Sequence, residues 1–116
     1  MVASDDPFIT STFKIFLEAD YQILCADEIA SALVLLKENS FSLVIIGGNL
    51  VEDSPGGLQE QIRSGLRWQR LPVLLVTEDK MHKSQLAGEH VIVSRQISRD
   101  ELILCVDRQI HQDKIW

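Results

Sequence analysis

Apolar positions along this chain follow two habits. In some stretches they form short unbroken runs, and in others they recur every three or four residues between polar ones. The first habit predicts strands buried on both faces, and the second predicts amphipathic helices. The clearest run is Leu43-Val44-Ile45-Ile46, mostly β-branched, which leads straight into Gly47-Gly48. It predicts a central strand of a parallel sheet. In open α/β sheets, sites form outside the carboxyl ends of the strands. Position 47 lies at such an end, and it carries no side chain.

The other elements fall around this strand. Met1 to Ala3 predicts a short first strand, followed by Ser4-Asp5-Asp6-Pro7. There Asp6 suits a helix cap and Pro7 a first helical position. Phe8, Phe13, Phe16 and Leu17, with Ile9 and Thr12 on the same broad face, predict a helix to about Ala19. Tyr21 to Cys25 predicts a second strand, and Asp27 is expected to cap a helix over Glu28–Asn39 with Ile29, Ala32, Leu33 and Leu36 on one stripe. Val51 to Gly57 reads as a loop, and Leu58 to Leu66 as a third helix. Leu71 to Thr77 and Val91 to Ser94 predict the fourth and fifth strands. The polar stretch Glu78 to Ala87 between them allows at most a short helix. Ser98 is expected to cap a last helix from Arg99 to about His111, with Asp100 and Glu101 suited to its first turn. Strands alternating with helices predict an α/β domain with a parallel sheet.

Composition narrows the function. A chain of 116 residues suggests one domain, residues 1–116. Its 46% apolar and 24% charged residues are ordinary for a globular protein. A net charge of −6 repels phosphate backbones and disfavours direct nucleic-acid binding. Cys25 and Cys105 lie far apart in apolar stretches, as reduced thiols of a cytoplasmic protein would. No apolar run approaches the roughly 20 residues needed to span a membrane, and the first residues carry no basic targeting segment. His82, His90 and His111 share no metal-ligand spacing, and there is neither a G-x-G-x-x-G nor a P-loop lysine. No cofactor, metal or enzymatic activity is expected.

With these elements in this order, the whole chain resembles the receiver domain of bacterial two-component response regulators. The resemblance rests on Asp5-Asp6-Pro7-Phe8, Leu43-Val44-Ile45-Ile46, Asn49-Leu50, Gly57-Leu58, Leu71 to Thr77 and Ser98 to Leu102. It implies a flavodoxin-like fold, five parallel strands in the order 2-1-3-4-5. From Thr77 to Arg95 is 18 positions (95 − 77), about four fewer than the resemblance implies, or about one helical turn. The fourth helix of the family is therefore expected to be shortened.

The resemblance also says what a working site would hold. Two adjacent acids after the first strand would fall on Ser4 and Asp5, so one is missing, and Asp6 follows them. The phosphate-accepting aspartate would fall on Gly47. The hydroxyl after the fourth strand is kept as Thr77, the lysine becomes Arg95, the proline after it becomes Gln96, and the aromatic switch residue becomes Ile92. Aspartyl phosphate needs a carboxylate nucleophile, and Mg²⁺ favours one or two carboxylates among its oxygen ligands. The chain thus resembles a degenerate receiver with a remnant pocket of Ser4, Asp5, Asp6, Gly47, Asn49, Thr77 and Arg95. Arg95 is expected to pair with Asp5.

Two readings stand for several features. Asp5 and Asp6 read as helix-capping acids or as metal ligands, and Gly47-Gly48 as a plain turn or a place of close ligand approach. The last helix carries Leu102, Ile103, Leu104, Cys105, Val106 and Ile110, either a wide core face or a partner-binding face. The expected function is phosphorylation-independent regulation, in signal transduction or transcription, through contacts with a protein partner or a second copy. Ile92, Leu102, Ile103, Val106 and Ile110 are the expected interface. The alternative is a small-ligand sensor using the vacated pocket.

Overall fold

The computed structural model describes residues 1–48, 58–65, 68, 71–77 and 91–111, with the backbone alone at residues 59, 60, 63, 77, 91 and 92. Five strands, β1 (Val2–Ser4), β2 (Cys25–Ala26), β3 (Val44–Gly47), β4 (Val73–Thr77) and β5 (Val91–Ser94), form one parallel sheet in the order β2-β1-β3-β4-β5. The described helices are α1 (Pro7–Leu17), α2 (Ile29–Glu38), α3 (Leu58–Ser64) and α4 (Arg99–Ile110). This is the expected flavodoxin-like architecture. The Val51–Gly57 loop and the shortened helix between Thr77 and Val91 lie outside the described residues, as do Asn49 and Leu50.

The two-residue period of the strands sorts the core into two layers. Ala3, Val44, Ile46, Val73 and Leu75 face one side, where Ala32 and Leu36 of α2 and Leu58 and Ile62 of α3 cover them. Val2, Ile45, Leu74, Val76 and Val93 face the other, against Ile9, Phe13 and Leu17 of α1 and Leu102 and Val106 of α4. Because both faces are covered, the central strands need apolar residues at every position, which is why the runs are unbroken.

The caps follow local chemistry, with one exception. Asp6 Oδ1 accepts a hydrogen bond from the Phe8 amide at 2.9 Å, and Pro7 opens α1. Ser98 Oγ accepts one from the Glu101 amide at 3.2 Å, so α4 begins as expected. Asp27 does not cap α2: the cap position is Glu28, in extended backbone and without a side-chain cap bond. The second strand is also displaced, from the expected Tyr21–Cys25 to Cys25–Ala26. Only Cys25 and Ala26 come into register with Val2 and Ala3 of β1.

α1 corrects the expected apolar stripe. Its buried residues are Ile9, Phe13 and Leu17, at four-residue spacing, whereas Phe8 is 49% exposed. α4 corrects the expected interface. Leu102 and Val106 are core residues, 0% and 2% exposed, and so are not free to meet a partner. Ile103 and Ile110 pack partly buried against the same layer.

Candidate functional site

Parallel register brings the expected site residues to one end of the sheet. Ser4 of β1 stands beside Gly47 of β3, and Thr77 of β4 beside Ser94 of β5. The chain leaves β1 as Ser4-Asp5-Asp6 into α1, and leaves β5 through a turn holding Arg95 and Gln96. Ser4, Asp5, Asp6, Gly47 and Arg95 therefore converge, with the Thr77 backbone at the same edge. Asn49 lies outside the described residues.

Ser4 is buried at 1% exposure, which demands a partner for its hydroxyl. Ser4 Oγ accepts a hydrogen bond from the Asp6 amide at 3.0 Å. Thr10 Oγ1 reaches back over the same turn, donating to the Asp6 carbonyl at 3.2 Å and the Ser4 carbonyl at 3.4 Å. The residue in the place of the first acid thus serves as a turn fastener.

Gly47 leaves no hollow. It follows Ile45 by two residues and so faces α1. A Cβ built there would lie 3.1 Å from both Cδ1 and Cγ2 of Ile9, and 3.4 Å from Ser4 Oγ. A side chain added at position 47 would therefore press on Ile9, which would have to give way by a few tenths of an ångström to admit it. Gly48 is tighter still. Its φ of +64° is a left-handed conformation, and a Cβ there would overlap Asp5 Oδ1 and lie 3.3 Å from the Asp6 amide nitrogen. The exposed Asp5 carboxylate is folded against this glycine.

Arg95 pairs with Asp6: Arg95 Nη2 lies 3.2 Å from Asp6 Oδ2. The same carboxylate caps α1 through its other oxygen. The guanidinium also sits over the Phe8 ring, 4.7 Å from its centroid. Planar Arg suits this double contact better than Lys would. Asp6, Phe8 and Arg95 form a clasp that ties the start of α1 to the end of β5. Sequence reading missed the roles of Phe8 and Ile9. The available signal was Ile9-Phe13-Leu17 at helical spacing, which turns Ile9 inward and leaves Phe8 beside it on the flank.

Chemically, the described arrangement offers Asp5 and Asp6 as carboxylates and Ser4 as a hydroxyl already engaged. Among the described residues no group of three His, Cys, Asp or Glu side chains is placed to hold a metal ion. No described helix is long and apolar enough to cross a membrane.

The chain matches no protein family model and no curated protein sequence. Its fold does match solved structures. One is the signal receiver domain of a signal transduction histidine kinase from Syntrophus aciditrophicus, with a TM-score of 0.80 at 19% identity over 99% of this chain and 91% of that one. A second is the receiver domain of a sensor histidine kinase from Pseudomonas aeruginosa, solved with a magnesium ion in its active-site cleft. Its TM-score is 0.80 at 16% identity, over 94% and 93% of the two chains. A third is a response regulator receiver domain from Clostridium thermocellum, with a TM-score of 0.78 at 21% identity over 97% and 94%. The chain has the receiver-domain fold.

Proposed function

We propose that this chain is a regulatory domain of receiver type that acts without aspartyl phosphate, through protein–protein contacts in signal transduction or transcription regulation. The observation that carries the reading is the filled space beside Gly47. Position 47 offers no carboxylate to a phosphoryl donor, Ile9 packs closely against it, and Arg95 is engaged by Asp6. A turn already fastened in this way does not need a phosphoryl group to order it. The same packing weighs against a ligand sensor in the vacated pocket.

The contact surface follows from what the core leaves over. Leu104 is 55% exposed on α4, flanked by the partly buried Ile103. Burying such a side chain at an interface stabilises by about 1.5–3 kcal/mol. α4 with the adjacent β5 edge, where Ile92 lies, is the face offered to a second copy or to a protein partner. The net negative charge makes a phosphate-backbone partner unsuitable.

Incubation with acetyl phosphate and Mg²⁺ tests the reading. Intact mass is expected to stay unchanged. A stable gain of one phosphoryl group, labile to hydroxylamine, overturns it. Sedimentation of the wild type beside Leu104→Arg tests the surface: self-association or partner binding is expected to weaken about tenfold, the equivalent of about 1.4 kcal/mol.

A further inference from the structure

At the far end of the sheet from Gly47, a cleft of about 470 Å³ opens beneath the amino ends of β1 and β3. Ile23 and Ile110 give it partly exposed apolar surface over the buried Leu17 and Val106, and Tyr21 and Phe41 add aromatic surface. Protein interiors are close-packed and keep few voids larger than a water molecule. Hollows of about 300–1,000 Å³ with apolar walls and a few polar groups are the usual dimensions of small-molecule sites.

The charges at the rim restrict what can enter. Tyr21 and His111 are among the lining residues. Burial, then the negative charges of Asp107 and Asp20, push the Tyr21 phenol above its ordinary pKa. Tyr21 is therefore a protonated hydrogen-bonding group close to two carboxylates. Asp107 Oδ1 lies 3.2 Å from Nε2 of the lining residue His111, so one carboxylate stands next to the cleft. The Met1 amine also lines the cleft, but burial pushes its pKa down to about 6 and it donates to the Leu43 carbonyl at 2.9 Å, so near pH 7 it offers an anion little positive charge against these carboxylates and a chain of net charge −6. A cation would meet Asp107 and Asp20, and the electron-rich ring face of Tyr21.

We infer that this cleft binds a small apolar or aromatic molecule with a cationic head, an aryl- or alkylammonium. Its hydrocarbon part lies against Tyr21, Ile23, Phe41 and Ile110, and its ammonium stands at the Tyr21–Asp107 rim. The inference does not rest on the regulatory reading. It concerns the opposite end of the sheet.

Three probes with one ring system and different charges separate the parts of the claim: tryptamine, the neutral alcohol tryptophol, and indole-3-acetate. Each is titrated into the full chain and followed by amide NMR shifts. Tryptamine is expected to bind saturably, tryptophol more weakly, and indole-3-acetate weakest, with shifts centred on Tyr21, Leu43 and Ile110. Asp107→Asn, at an exposed position, is expected to weaken tryptamine about fivefold, the scale of one surface ion pair, while leaving tryptophol unchanged. Ile110→Trp, which fills the cleft, is expected to abolish both. Equal binding of the amine and the acid overturns the charge assignment. No saturable shift with any probe, or shifts centred elsewhere, overturns the site.

Discussion

The two ends of this sheet differ in a way opposite to what their side chains suggest. At the carboxyl ends, position 47 has no side chain and position 4 a small one, yet Ile9 crowds the space. At the amino ends, the walls are large residues such as Leu17, Phe41 and Ile110, yet a cleft of about 470 Å³ remains. A missing side chain does not make a pocket. Packing is decided by whether a neighbour on another element can reach the space. Ile9 reaches Gly47 because α1 begins immediately after β1 and lays its buried face across β3. At the other end the described elements diverge: the exit of α1, the loop before β3 and the last turn of α4 meet only around the cleft.

Substitutions can sharpen or break this contrast. The largest effect is expected from Ile9→Ala, which empties the filled end. Truncating a buried Ile costs about 2–5 kcal/mol, read as a lower urea midpoint at unchanged slope. A loss below about 1 kcal/mol would mean that the space beside Gly47 was slack already. Next comes Gly47→Asp, expected to cost about 1–3 kcal/mol by overpacking against Ile9. In the Ile9→Ala background the same change should cost clearly less, because residues in contact are non-additive. Strict additivity would refute the contact. The single Gly47→Asp chain is still expected to resist acetyl phosphate, since catalytic groups acting as a unit are not restored one at a time.

Smaller effects belong to the turn and the clasp. Gly48→Ala forces an alanine into the left-handed region, at a cost of about 1–2 kcal/mol. Asp5→Ala in that background should relieve the overlap with the new methyl but not the backbone term, so only part of the loss should return. Asp6→Ala removes both a cap and an ion pair and should cost about 1–2 kcal/mol. Asp6→Asn keeps a capping oxygen and should cost less than half of that; equal losses would mean the ion pair dominates. The smallest effect is expected from millimolar Mg²⁺, which should leave the melting temperature within about one degree, because a ligand stabilises only well above its dissociation constant. A shift of several degrees, abolished by Asp5→Asn, would show a functioning acidic site.

The fold was legible because each element carries its own signal. Leu43 to Ile46, Leu71 to Thr77 and Val91 to Ser94 could be read as strands from their composition, and Asp6-Pro7 and Ser98 from capping chemistry. β2 was harder, since an edge strand of two residues is defined by its partner, Val2-Ala3, and not by its own composition. Which positions the sheet brings to one end was also legible, because that depends on order along the chain. Their contacts were not. Arg95 was expected to meet Asp5, but the carboxylate pointing toward β5 is the one fixed by capping α1, namely Asp6. Leu102 and Val106 looked like surplus apolar surface because the depth of the α1–α4 layer cannot be counted from one helix. The cleft left no linear signal, since its walls come from distant segments.

The contact between Ile9 and Gly47 has a consequence for reversibility. For a sequence drifting one residue at a time, gaining an aspartate at 47 first means accepting a crowded and weakened fold. Trimming Ile9 first means accepting a hollow. Each order of events passes through a chain expected to be less stable than its starting point, so the two residues together act as a ratchet against the arrival of a carboxylate at this position.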